Sequence, residues 1–554
     1  MSEFEHDVRK TGFKGELFTD NATLEAYSHD ASMFEIYPRL VAWPKDSEDV
    51  ELMTKFVSDN KQKHPHLSIT ARSAGTDMSG GAINDSIIMD FSKHFDTIIS
   101  VDHEKASVQP GVPFRLLDDE TIKHGSLLPS YPASRDLCTV GGMVNNNSGG
   151  EKSLEYGKTD KYVSEVELVF ADGKKRKVKP LNRTALIRKM AQKDFEGKVY
   201  KEMYELLEDN YEMIKAAKPN VSKDSTGYHL WNVWDRETGV FDLTKAIVGA
   251  QGTLGLTTKA DFKLVNRREH SGLLIVFLKD IDDLGEIIPK VLAHNPATFE
   301  CFDDATLLLS IKFMPSFLKL LGPVKWFKLL FSLIPDGLQL LRGVPKLILM
   351  IEFNGETQEI VRKRVHDMHK VMEKHRARYE INGFEETPTE LSSEKFWLMR
   401  RKSFQLLRTK VKDKHTAPFI DDFVVNPEHL IEFLPKLRKI IKEYKLLATV
   451  AGHLGDGNFH IIPLMKLEDA SDRRKLLPAM KEVNQLVLQY GGSLSGEHND
   501  GLVRGPWLRE MYGDEMLDIF KQTKQIFDPD NIFNPHKKAD ADWDYSFSHI
   551  RDHF

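Results

Sequence analysis

Four glycine-rich strings punctuate the first half of the chain: ARSAGTDMSGG (71–81), PSYPASRDLCTVGGMVNNNSGG (129–150), KDSTGYHLWNVW (223–234) and IVGAQGTLGLTTKADFKL (247–264). Short β-rich runs lie between them, HLSITA at 66–71, SIIMDF at 86–91 and KAIVGA at 245–250. EVELVF at 165–170 alternates polar and apolar residues before Ala171-Asp172-Gly173, the pattern of a half-exposed strand entering a hairpin. From about Pro44 to about Lys263 the chain therefore reads as an α+β domain whose glycines sit in loops. The first string follows a strand directly, and small residues with free N–H groups in a tight turn form a concave anion site suited to a pyrophosphate. Its spacing is not G-x-G-x-x-G and no Walker lysine follows, so neither a Rossmann nor a P-loop site is expected; alone, such a string is only a turn.

At 554 residues the chain exceeds what one hydrophobic core organises. A second α+β region is expected from about 270 to 490, with strands at 272–278 and 346–353 and helices at 356–376 and 427–444. A helix over 507–526 and the turn-rich FDPDNIFNPHKK (527–538) then return to the first domain. The division expected is 1–265, 266–490 as a substrate-covering domain, and 491–554. Residues 310–346 stand apart, with Lys312, Lys319, Lys325, Lys328, Arg342 and Lys346 against the single acid Asp336 among large apolar residues. That pattern suits a helix lying in a membrane interface, or a helical pair packed on the second domain.

A net charge of −6 gives no reason to expect nucleic acid. The two cysteines, Cys138 and Cys301, exclude a disulfide framework and a four-thiolate metal or iron–sulfur site. The opening residues are charged and lack the apolar core of a secretory signal, and no run of about 18 uncharged apolar residues occurs, so the expectation is a cytoplasmic chain without a membrane span.

In order and content, the four strings resemble the flavin-binding domain of the vanillyl-alcohol oxidase and cresol methylhydroxylase superfamily. The resemblance covers about residues 25–265 and resumes near the C-terminus. It implies two small α+β subdomains clasping FAD, with an antiparallel sheet in the cap domain. Arg72, Ser73, Ala74, Gly75, Thr76, Asp77 and Ser79 would then surround the diphosphate. Pro132, Ser134, Thr139, Gly141, Gly142, Asn145, Asn146 and Ser148 would run along the ribityl chain and ring, and Ile247 would reach the adenine side. Some relatives tether the flavin through a histidine in the first loop, and residues 71–81 contain none. Cys138 is read as a small buried thiol.

AGHLGDGNFH (451–460) places His453 and His460 on either side of a glycine-rich turn, and GGSLSGEHNDG (491–501) places Glu497 beside His498. Two imidazoles and a carboxylate are a common ligand set for a divalent ion; two histidines in one turn can also simply bond the backbone. Both strings, and the terminal IFNPHKK, are similar to the D-lactate, glycolate and D-2-hydroxyglutarate dehydrogenase branch of the superfamily. That resemblance implies His453, His460 and Glu497 as ligands of a zinc or similar ion, His498 as the proton acceptor, and Arg400 in FWLMRRKSF (396–404) as the carboxylate-binding cation, with Arg401 as its rival. It further implies a small 2-hydroxy acid as substrate and a quinone, cytochrome or partner flavoprotein as electron acceptor.

The chain also departs from the branch. Asp421 and Asp422 stand where some members carry a substrate-binding lysine, Ile462 where some carry asparagine, and Asn499 where glycine is commoner. These departures weaken a 2-hydroxyglutarate assignment while leaving the reaction class. Two alternatives share the scaffold: an alkyl-glycerone-phosphate synthase-like flavin transferase and a non-catalytic electron-transfer subunit. Because residues 71–81 offer no histidine, FAD is expected to leave the chain on denaturation. Acid precipitation of the purified protein followed by spectroscopy of the supernatant checks this; yellow colour retained in the washed pellet contradicts it.

Overall fold

The computed structural model describes residues 3–304, 306–308, 343–389, 392–401 and 414–552. Near the N-terminus four strands pair in the order Glu16–Phe18, Leu40–Trp43, Ile87–Asp90 and Ile69–Arg72, with the last three parallel. The parallel step is made by the helix Ser47–Asn60, whose first turn is capped by Asp46 accepting from the N–H groups of Glu48 and Asp49. A second, antiparallel sheet runs Ile98–Val101, Lys105–Val108, Leu256–Lys263, Val163–Val169 and Lys175–Val178. The hairpin predicted after EVELVF is its last pair.

KAIVGA at 245–250 is not a strand. Asp242 accepts from both the N–H and the hydroxyl of Thr244, and the chain coils into a helical turn, Thr244–Ile247, before a loop with Gly249 and Gln251 at positive φ. A short apolar run has no periodicity long enough to separate a buried strand from a buried helical turn.

The second half is organised by an antiparallel sheet in the order Ile381–Thr387, His270–Leu278, Leu347–Gly355, Thr298–Asp303, Ala448–His453, Asn458–Met465 and His415–Thr416, with Phe423–Val424 also pairing to Asn458–Met465. Alternation along a strand sends successive side chains to opposite faces. Leu274, Val276 and Leu278 join a large core with Val361, Val365, Met368 and Met372 of the helix Gln358–Lys374. Leu273, Ile275 and Phe277 face the other way, against Phe396, Trp397 and Met399 of the helical residues 392–401. Cover on both faces explains why this strand reads as one continuous apolar run. It also fixes the segment that carries Arg400 and Arg401.

The long helix Leu508–Phe527 is broken at Gly513, and the tail after it returns to the first sheet. Asn534 donates to the carbonyls of Gly81 and Gln251, its backbone N–H bonds Ile69 O, and its side-chain oxygen accepts from Thr70. Most of the basic apolar segment 310–346 lies outside the described residues; from residue 343 the chain leads into Leu347–Gly355, and Lys346 pairs with Asp304 at 2.7 Å. Among the described residues no helix is long and apolar enough to cross a membrane.

Candidate active site

One cavity of about 610 Å³ opens between the glycine-rich loops and the edge of the large sheet. The loop after Ile69–Arg72 supplies Arg72, Ser73, Ala74, Gly75, Thr76 and Asp77 to its wall. Gly75 has φ +63, and a Cβ there would press on the Arg72 guanidinium at 2.5 Å, so the turn needs glycine. Asp77 accepts from the N–H groups of Ser79 and Gly81 and from Asn146 Nδ2, which stitches this loop to the second glycine string. Ser73 and Thr139 share a hydroxyl contact of 2.6 Å across the same seam.

Pro132, Ser134, Thr139, Gly141, Gly142, Asn145, Asn146 and Ser148 all line the cavity. A Cβ on Gly142 would meet nothing nearer than 3.8 Å, so open space begins at that backbone. A glycine-walled cleft of this kind fits a bound dinucleotide-like group. Cys138 also lines it, but burial pushes its thiol up to about 12, so the sulfur stays protonated and unreactive.

Two expected flavin residues are placed elsewhere. Ser79 is fully buried behind the loop, holding Asp77, and Ile247 is packed in the apolar core rather than on the cavity wall. The fourth string reaches the cavity through Gln251 and Gly252 instead. Gln251 ties the loops together, donating to Ser79 Oγ and accepting from Gly501 N–H.

At the other end of the cavity the hairpin Ala448–His453/Asn458–Met465 meets the 491–501 string. Gly457 makes the hairpin turn possible, since a Cβ there would lie 1.9 Å from Val425 O. Three imidazole Nε2 atoms surround Glu497 Oε1: His453 at 3.1 Å, His460 at 3.4 Å and His498 at 3.7 Å. Their opposite ring nitrogens are each held by a carboxylate. His453 Nδ1–H donates to Glu300 at 2.5 Å, and those of His460 and His498 donate to the two oxygens of Asp421 at 3.0 and 2.6 Å. A carboxylate only accepts, so each Nδ1 carries a proton, and an Nε2 without one would turn its lone pair to Glu497. Lone pair against carboxylate is repulsive unless a proton or a cation lies between.

Glu497 and His498 are neighbours in sequence, and a regular strand would turn them apart. They converge because Asp422, at φ 71, accepts from Ser495 Oγ, Asn458 Nδ2 and the N–H groups of both residues, bending the string around its carboxylate. Among the described residues, the donors that all lie within reach of a single ion here are those of Asp422, His460, Glu497 and His498; the expected ligand His453 falls outside that set. The oxygens of Asp422 are already committed to Ser495, Asn458 and the two N–H groups.

The charge inventory points the same way. Glu300, Asp421, Asp422, Asp456 and Glu497 are buried, and the lasting cations in contact with them among the described residues are Lys223, Arg400 and Arg504. Five negative charges against three positive leave a deficit of two. Burial opposes a charge on His460, but Asp421 and Glu497 outweigh it and raise the imidazole to about 10; His498 is raised too, by Asp422 and Asp421 against burial. A divalent cation supplies the same two charges, and the N and O donors present suit zinc and its neighbours.

Arg400 and Arg401 both line the cavity. Arg401 is closed bidentately on Glu151, at 3.0 and 2.5 Å, while Arg400 bonds Glu300, the carboxylate that also holds His453, at 3.2 Å. His460, Glu497 and His498 line the cavity; His453 is buried one layer back. Sequence reasoning missed Glu300, Asp421, Asp422 and Lys223 as members of this site. Lys223 opens the KDSTGYHLW string, and its ammonium contacts Glu497 Oε2 at 3.3 Å and Asp456 at 3.4 Å.

Residues 38–179 match an FAD binding domain, and residues 267–538 match the C-terminal domain of FAD linked oxidases. The chain belongs to the FAD-linked oxidases. It is 27% identical over 537 residues to D-2-hydroxyglutarate dehydrogenase of Pseudomonas putida, covering 97% of this chain but 51% of that protein, so it spans about half the length of that relative. It is 26% identical over 533 residues to the glycolate oxidase subunit GlcD of Bacillus subtilis, covering 94% of each. Its fold matches substrate-bound p-cresol methylhydroxylase with a TM-score of 0.64 at 15% identity, covering 98% of each chain. The cresol methylhydroxylase-type α+β architecture is therefore the fold of this FAD-linked oxidase.

Removing Lys223 leaves two buried carboxylates without their ammonium. Lys223→Met is expected to cost about 3–5 kcal/mol, the scale for breaking a buried ion pair from one side. Urea unfolding of the flavin-loaded protein measures it; an unchanged midpoint contradicts the assignment.

Proposed function

We propose that this FAD-linked oxidase is a dehydrogenase that converts a small 2-hydroxy acid, of D configuration, to the 2-oxo acid and passes the electrons to a quinone, a cytochrome or a partner flavoprotein. The observation that carries it is the convergence of three imidazole Nε2 atoms on Glu497 at the flavin cavity. The matched relatives support it, since a D-2-hydroxyglutarate dehydrogenase, a glycolate oxidase subunit and a D-lactate dehydrogenase are all named for acids with a hydroxyl beside the carboxylate.

The loops at 72–77 and 132–148, with Gln251 and Gly252, would hold FAD noncovalently, and the flavin when bound would supply the acceptor for the C2 hydride. His453, His460 and Glu497 would hold a divalent ion, which supplies a Lewis acid for the substrate hydroxyl. An alcohol does not ionise at neutral pH, so a proton acceptor is also required. His498 fills that role at Nε2. Its Nδ1–H is fixed on Asp421, which orients the ring and stabilises the imidazolium that forms, the function a buried aspartate performs in a serine-protease triad. His498 is also the most accessible of the three imidazoles, with a side chain 21% exposed against 3% for His453 and 9% for His460. Arg400, at the cavity wall, binds the substrate carboxylate through its planar fork. The six basic residues at 312–346 further suggest reversible contact with an anionic membrane surface, where a quinone acceptor would be met.

His498→Ala should retain FAD yet slow anaerobic flavin reduction by about two to four orders of magnitude, the scale of a lost acid–base group. Stopped-flow bleaching with the best 2-hydroxy acid measures it. Reduction at the wild-type rate would place the base elsewhere.

A further inference from the structure

The face of the hairpin that carries His460 continues into an apolar wall. Ile462 lies two residues beyond His460 on Asn458–Met465, so both side chains leave the same side of the strand. The paired strand repeats the arrangement, with Ala451 opposite His460 and Thr449 opposite Ile462, and all four residues line the cavity. Ile462 does not join the main core. It forms a small cluster of its own with Met78 and Ala31, which also line the cavity from the flavin side. Ala31 is held there by its N–H to Asp77 O, at 2.9 Å.

Asp77 lines the same cavity beside Met78, and its carboxylate is fixed by the N–H groups of Ser79 and Gly81. Arg72, in the same loop, donates to the carbonyls of His29 and Ala82. A substrate whose hydroxyl sits at Glu497 and His498 therefore meets methyl and thioether groups next to His460. An uncharged apolar substituent gains by leaving water there. An ionised carboxylate would lose hydration against those apolar groups.

We propose that Ile462, Met78 and Ala31 form the subsite for the substituent on C2, and that the preferred substrates are 2-hydroxy monocarboxylic acids with a short apolar side chain rather than dicarboxylates. This rests on the hydroxy-acid reading given above and names the acid class within it.

The test is anaerobic reduction of the flavin-loaded, metal-loaded protein by both enantiomers of lactate, 2-hydroxybutyrate, 2-hydroxyisocaproate, malate and 2-hydroxyglutarate. The second-order rate constant for the best apolar acid should exceed that for either dicarboxylate by about a hundredfold, the range expected when a site discriminates a buried polar group. Ile462→Arg should narrow that ratio at least about tenfold by giving a second carboxylate a partner. The wild-type ratio decides the matter even if the variant fails to hold flavin. A dicarboxylate reducing the wild-type flavin as fast as the apolar acids overturns the subsite and leaves the dehydrogenase reading standing. Failure of every 2-hydroxy acid overturns both.

Discussion

Two consecutive aspartates, Asp421 and Asp422, hold the reacting end of this protein in shape. Asp421 takes the Nδ1–H groups of His460 and His498, one on each oxygen, so two rings from distant parts of the chain stack at 4.9 Å with their Nε2 atoms turned inward. Asp422 gathers the backbone of Glu497 and His498. Without the first the imidazoles lose orientation; without the second the adjacent Glu497 and His498 have no reason to face one point. Both carboxylates are buried, which is costly unless paired, and the pairing is what forces the hairpin, the 419–427 segment and the 491–501 string together.

The same electrostatics bind the flavin cleft to the sheet domain. Lys223 comes from the FAD side and places its ammonium on Glu497 and Asp456. Lys158, just before the 3₁₀ turn Thr159–Lys161 that follows the second glycine string, donates to Gly496 O at 2.7 Å. Asn499 bonds the carbonyls of Asn146 and Gly249, and Gln251 bonds Gly501. The 491–501 string is thus shared property: it carries the chemistry, and the flavin loops hold its backbone. A cofactor bound against those loops lies beside the imidazole cluster because one stretch of chain bounds both.

Local order was legible in the sequence where a periodic signal ran long enough. The strands at 272–278 and 346–353 and the helices at 356–376, 427–444 and 507–526 all appear within a few residues. The loops for the flavin were legible as glycine strings, but which residue of a string faces the cavity was not, as Ser79 and Ile247 show. His453, His460, Glu497 and His498 could be singled out from their strings. Their partners could not. Glu300 sits in an apolar strand, Lys223 in a turn, and Asp421 and Asp422 read only as the absence of a lysine, because what makes them part of the site is contact between residues 36 to 274 positions apart in the sequence.

The central claim is that the two-charge deficit around Glu497 is met by a divalent ion on which turnover depends. Its direct test is calorimetric titration of chelator-treated, flavin-loaded protein with Zn²⁺ or Mn²⁺, with anaerobic flavin reduction followed on the same samples. The account predicts one ion bound per chain, no such binding in His453→Ala, and reduction by a 2-hydroxy acid that returns only as that ion is restored. Metal-free protein whose flavin bleaches at the full rate would contradict it.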